Sequence, residues 1–184
     1  MLQNVSFGFE TIHLISQFYV RRFRNTEISL NLSTERNIPT FMDICILNSL
    51  ENESLSQIDS LLHKLSPSAP TIDPHRLAKL LKDADFKLFV ARSGEENLIV
   101  GMLTLSACKT LSGPKYWIED VIVDDSCRGM GLGRSLVRAA VSYVKENEER
   151  PVIYLTSNPS RVSARNLYRS EGFEEYETGV FRIK

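Results

Sequence analysis

At 184 residues the chain is one domain with little length to spare, yet long enough to bury a sizeable core. Its 42 % hydrophobic and 24 % charged content is that of an ordinary soluble globular protein. A formal net charge of −1 argues against nucleic acid or an anionic membrane as the main partner.

Residues 1–26 form an N-terminal extension, set apart from a domain over 27–184. Phe7, Phe9, Ile12, Leu14, Ile15, Phe18 and Tyr19 give it a helix-like apolar scatter, followed by Arg21, Arg22 and Arg24. No apolar run is long enough to span a bilayer, and Glu10 and His13 interrupt any signal-peptide core. An added helix is the expectation. A mitochondrial transit segment is the alternative, against which stand the sparse serines and the internal acid. Cys45, Cys108 and Cys127 are odd in number and lack C-x-x-C spacing, which reads as reduced thiols in a cytoplasmic protein. His13, His63 and His75 form no metal-ligand pattern, so no metal is expected.

Ile28 to Leu32 alternates as a strand. Thr34 to Asn37 then turns into a predicted helix with Pro39 in its first turn and Phe41, Ile44, Cys45, Leu47 and Leu50 on its buried face. A second helical run carries Leu55, Ile58, Leu61, Leu62 and Leu65, and stops at the breaker cluster Ser66–Pro70. Asp73-Pro74 reads as an N-cap and first helical proline, opening a helix through Leu81. Phe86–Ala91, Leu98–Cys108 and a run from Tyr116 follow as strands on short turns, an antiparallel meander. Gly101, inside the middle strand, suggests a bulge or close packing.

The third strand carries Glu119 and Asp120 within the apolar run Ile118, Val121, Ile122 and Val123. As successive strand residues the two acids should point to opposite faces. The strand turns through Asp124–Ser126 into Arg128-Gly129-Met130-Gly131-Leu132-Gly133 and leaves as a helix with Leu132, Leu136, Ala140 and Val144 at helical spacing. A glycine-rich turn at a helix N-terminus exposes backbone N–H groups at the positive end of the helix dipole, a ready phosphate site. The spacing G-x-G-x-G is not the dinucleotide G-x-G-x-x-G, and Arg134-Ser135 after Gly133 is not a Walker Gly-Lys-Ser/Thr. Cys127 beside the loop reads as a small filler and not a nucleophile, since no histidine lies near it in sequence.

Pro151 ends the helix, and Val152–Thr156 is an apolar strand that a helical crossover should set parallel to the acid-bearing one. Ser160 is a plausible N-cap for a helix from Arg161 to Glu171, closed by Gly172. Phe173–Tyr176 and Val180–Ile183 read as two closing strands around Thr178-Gly179.

Arg128, Gly131 and Gly133 fill the fixed positions of R/Q-x-x-G-x-G/A, and the chain resembles the GNAT superfamily of acyl-CoA-dependent N-acyltransferases at this loop. Ala164, Leu167, Tyr168, Gly172 and Phe173 match a second GNAT pattern, N-x-x-A-x-x-L-Y-x-x-x-G-F, with Arg161 standing where Asn is usual. The resemblance covers about residues 28–184. It implies an α/β fold of the α+β type. The sheet would be mixed and mostly antiparallel, of six to seven strands, with helices on both faces and a splayed central pair of strands. It implies acetyl-CoA as co-substrate. Val121, Ile122 and Val123 would lie on pantetheine, and Arg128, Gly129, Met130, Gly131, Leu132, Gly133 and Arg134 on the pyrophosphate.

Tyr168 matches the tyrosine that is often the general acid for the departing thiolate, and a phenol of pKa about 10 suits that task. Core packing beside Ala164 and Leu167 is its structural alternative. One of Glu119 and Asp120, with Glu119 preferred, would hold a cationic amine or accept its proton. Spermidine/spermine acetyltransferases have a similar Glu-Asp pair at the same distance before the loop. The expected function is direct acetyl transfer to an amine, whether a small amine, an amino acid, an antibiotic or a protein amine, with a homodimer among the allowed assemblies. The alternatives are a CoA-binding sensor or interaction module without catalysis, and a transferase for a longer acyl-CoA.

Overall fold

The computed structural model describes residues 28–30, 42–94 and 97–183. The N-terminal extension and the boundary near residue 27 lie outside them. The strands are β1 (Ile28–Leu30), β2 (Met42–Ile46), β3 (Phe86–Ser93), β4 (Leu98–Thr110), β5 (Gly113–Val123) and β6 (Ile153–Leu155). The helices are α1 (Asn52–Leu65), α2 (Pro74–Leu81), α3 (Leu132–Asn147) and α4 (Val162–Ser170). One sheet runs β1-β2-β3-β4-β5-β6. Neighbours through β5 are antiparallel and the last pair is parallel, as the α3 crossover requires.

Two apolar cores draw on alternate strand residues. Phe89, Ala91, Leu103 and Leu105 pack with Leu136, Val137, Ala140 and Val144 of α3 and with Tyr168 of α4. Leu88, Val90, Met102 and Ile122 pack with Ile58 and Leu61 of α1 and Leu77 of α2. Successive strand side chains point to opposite sides of a sheet, so one meander serves both cores. Gly101 marks a close approach of β4 to its neighbours. A Cβ there would stand 3.1 Å from the Ile122 carbonyl oxygen and 3.3 Å from Leu136 Cδ1, and the β3–β4 register shifts next to it, between Ala91 and Arg92. Asp73 caps α2 as its sequence suggests, accepting from the His75 N–H.

Two expectations are corrected. The predicted helix through Phe41–Leu50 is instead strand β2 over Met42–Ile46, paired with β3. Met42 and Ile44 join one core while Cys45 and Leu47 join the other. A strand buried on both sides loses its polar alternation, and its near-continuous apolar run imitates a helix. The start of that predicted helix lies outside the described residues.

The closing strands Phe173–Tyr176 and Val180–Ile183 do not form strands. Tyr176, Val180, Phe181 and Ile183 are exposed, and the segment is held to α4 by Glu175, which pairs with both Arg165 and Arg169. An alternating apolar pattern becomes a strand only against a partner edge, and this one has salt bridges to a helix instead.

Candidate active site

The sheet opens between β5 and β6. They pair only from Tyr116↔Ile153 to Ile118↔Leu155, while β5 runs on to Val123. Past that point lies a cleft of about 490 Å³. Val121, Ile122, Val123 and Arg128 line one side. Residues 160–164, Leu167 and Tyr168 line the other, and Lys64 and Leu65 close one end.

Just before the cleft β5 contains a bulge. Thr104 is opposite Glu119, but Met102 is opposite Ile122, so β5 carries one residue more than β4. Asp120 absorbs it with φ of 50°, a left-handed conformation that aspartate tolerates better than most residues. The bulge overturns the expectation that the two acids face opposite ways. Asp120 accepts a 3.1 Å hydrogen bond from the Thr104 hydroxyl, and Thr104 is the register partner of Glu119, so both carboxylates share that side. Partial burial raises the pKa of Glu119, and the neighbouring Asp120 charge raises it further. Neither acid lines the cleft, but the Glu119 charge is felt by Tyr168.

The loop after β5 is built by short-range bonds. Asp124 accepts from the Ser126 N–H and hydroxyl and forms an ion pair with Lys64 at the end of α1. These contacts hold its carboxyl down at about 2. Arg128 pairs with Asp125 at 2.6 Å and stays two-thirds exposed at the cleft. Gly129 and Gly131 take φ of 79° and 82°, values that side chains disfavour.

The Ser135 N–H bonds to the Gly131 carbonyl as α3 begins, so the amides of Leu132, Gly133 and Arg134 belong to the first turn, where helices have no internal acceptor. The Leu132 side chain is core and Met130 packs against it, so these residues offer backbone, not side chain, to a ligand. Gly133 lets α4 approach, since a Cβ would come within 3.3 Å of Leu167 Cδ1. Arg134 turns away from the loop, pairing with Glu171 at 3.0 Å, and Arg138 joins the same carboxylate at 2.7 Å. Of the two arginines flanking the glycines, only Arg128 is directed to the cleft.

Cys127 is buried with its thiol 3.6 Å from the Ser126 hydroxyl, consistent with the filler role. Among the described residues no group of three His, Cys, Asp or Glu could hold a metal ion, and no helix is long and apolar enough to cross a membrane.

Tyr168 is 6 % exposed, edge-on to Phe173 with ring centroids 6.2 Å apart. Burial raises its phenol pKa, Arg161 opposes that, and Glu119 adds to it. Helix α4 starts at Arg161, which takes the cap position in place of the expected Ser160. Asn158 instead accepts from the Ser160 N–H and hydroxyl. Sequence reasoning missed Lys64 as a cleft residue, because only the fold brings the end of α1 to Asp124, 60 positions on. It also missed the first turn of α4, although the departure of Arg161 from the expected Asn was a signal there.

The acetyltransferase (GNAT) family model matches residues 54–173, nearly two thirds of the chain. The chain belongs to the GNAT acetyltransferase family. No curated protein sequence matches it. Among solved structures, an acetyltransferase from Trypanosoma brucei is 24 % identical with a TM-score of 0.64, covering 78 % of this chain and 99 % of that one. A transcriptional regulator from Bacillus halodurans is 25 % identical with a TM-score of 0.64, covering 77 % and 99 %. The aminoglycoside N-acetyltransferase AAC(6′)-Iy, in complex with the bisubstrate analogue CoA-S-monomethyl-acetylneamine, is 22 % identical with a TM-score of 0.61, covering 78 % and 97 %. In this GNAT chain Arg128, which opens the glycine loop, the end of β5 beyond its β6 pairing and Tyr168 line one cleft, and residues 129–134 are not among its lining.

Proposed function

We propose that this GNAT protein transfers the acetyl group of acetyl-CoA directly to a small cationic amine. The observation that carries the reading is the cleft itself, where an unpaired strand edge, a buried phenol and Arg128, at the start of the glycine loop, come together. The amides of residues 129–134 and Arg128 suit a pyrophosphate. The free end of β5, Val121–Val123, suits an extended amide-bearing arm, and backbone N–H groups there suit the thioester oxygen.

Three events then need residues. The amine must lose a proton, its nitrogen must bond to the carbonyl carbon, and the C–S bond must break with a proton passing to the thiolate. Glu119, its pKa raised by burial and by Asp120, fits the first task as base, directly or through water. Tyr168 fits the last as acid, since its raised pKa keeps it protonated at neutral pH. The two carboxylates on one side of the bulge would also attract a cation, which favours a charged amine acceptor. The fold shared with an aminoglycoside N-acetyltransferase bound to a CoA bisubstrate analogue supports the same donor and acceptor classes.

Calorimetric titration with acetyl-CoA, CoA, ATP and NAD tests the donor, followed by thiol release with a panel of amines. Binding confined to the two CoA species, with release stimulated by an amine, is the expected result. Binding of a nucleotide and no CoA species would overturn it. A second reading, a CoA-binding module without catalysis, draws on the shared fold of the Bacillus halodurans regulator. It predicts CoA binding with no thiol release for any amine.

A further inference from the structure

The edge that the donor would use is already occupied by a side chain. Tyr116 sends its N–H to the Val152 carbonyl of the β6 side, and that side of β5 loses its strand partner after Ile118. Beyond the bulge the Val121 carbonyl accepts a 3.2 Å hydrogen bond from Arg161 Nη2. Arg161 itself lines the cleft, is exposed, and sits at the start of α4, so its guanidinium bridges the two walls. An extended ligand docks on an open strand edge through backbone groups of this kind, and one acceptor cannot serve two donors equally well.

Resting on the donor reading above, we propose that Arg161 is a plug on the β5 edge that the amide-bearing arm of the acyl donor must displace. The hydrogen bond of residue 161 thereby weakens binding of the arm along the strand, while only its charge is felt at the nucleotide end of the donor. A net hydrogen bond of ordinary strength corresponds to about a two- to tenfold change in affinity.

The test compares wild type and R161A by calorimetry with two probes, acetyl-CoA and 3′-phospho-ADP, the nucleotide half of CoA without its arm. Loss of the arginine charge acts on both probes, so the ratio of their dissociation constants isolates the strand edge. Arg161 is exposed and its replacement leaves the core intact, which a thermal melt verifies. The expected result is a two- to tenfold gain in the preference for acetyl-CoA over 3′-phospho-ADP in R161A. An unchanged or diminished preference overturns the plug, and a diminished one makes Arg161 a direct donor contact instead. If wild type binds neither probe, the donor reading falls and takes the plug with it. Binding of 3′-phospho-ADP by both proteins with no change in the ratio removes the plug alone.

Discussion

Replacing Tyr168 by Phe separates chemistry from packing at one atom. The Phe ring keeps the edge-on contact with Phe173 at 6.2 Å and the packing within the core that α3 and α4 share. Only the hydroxyl is lost, so stability should change by less than about 1 kcal/mol. A positioned general acid contributes about 10²- to 10⁴-fold. The rate at saturating acetyl-CoA should therefore fall at least about 100-fold, equivalent to about 2.7 kcal/mol of barrier. Donor affinity should stay as it was.

Burial holds the phenol above its ordinary range, so the acid is present through neutral pH and is lost as pH rises through the raised value. Thiol release followed from neutral to alkaline pH should show that limb in wild type and not in Y168F. A Y168F rate within threefold of wild type, or an identical alkaline limb, would refute the assignment and return Tyr168 to the core alone.

Further outcomes follow from neighbouring groups. Asp120 raises the Glu119 pKa, so D120N should move the acidic limb of kcat/KM to lower pH and E119Q should remove it; a limb that ignores D120N excludes Glu119 as the base. Gly131 has φ of 82°, and beyond its chain neighbours no atom lies within 4 Å of where a Cβ would stand, so G131A should cost only backbone strain, about 1–2 kcal/mol. A melting curve should show that as a fall of about 2–8 °C, and an unchanged melting temperature would contradict the left-handed turn. The Asp124 carboxyl is held at about 2, so it stabilises the fold above its ordinary range near 4, and that contribution is lost as pH falls through about 2. The stability gap between wild type and D124N, read from melts across acidic pH, should close over that window.

Helix α3 and its glycine turn were legible because each local signal agreed: an apolar strand, glycines where φ is positive, and helical spacing behind them. The meander and the parallel return of β6 followed from short turns and a helical crossover. Strand β2 was not legible, because Met42 to Leu47 feed both cores and no polar face marks the period of two. The two acids were read as opposed because a bulge at Asp120 carries no glycine or proline to announce it, only an aspartate tolerating a left-handed turn. Lys64 and the guanidinium on Val121 are contacts between distant segments, set by helix placement and not by any local pattern.

The extra residue in β5 also sets how this strand tolerates editing. Substitutions at Asp120 change one charge, and even excising it would restore plain alternation with Val121, Ile122 and Val123 on the faces they already occupy, because Glu119 sits opposite Thr104 and Ile122 opposite Met102. Ile122 would stay beside Met102 in the core it shares with α1 and α2, and Val121 and Val123 would stay on the α3 side. A single-codon deletion there is therefore expected to keep both cores and remove only the kink and the carboxylate, whereas one residue added to β5 without a second bulge would turn Ile122 out of its core.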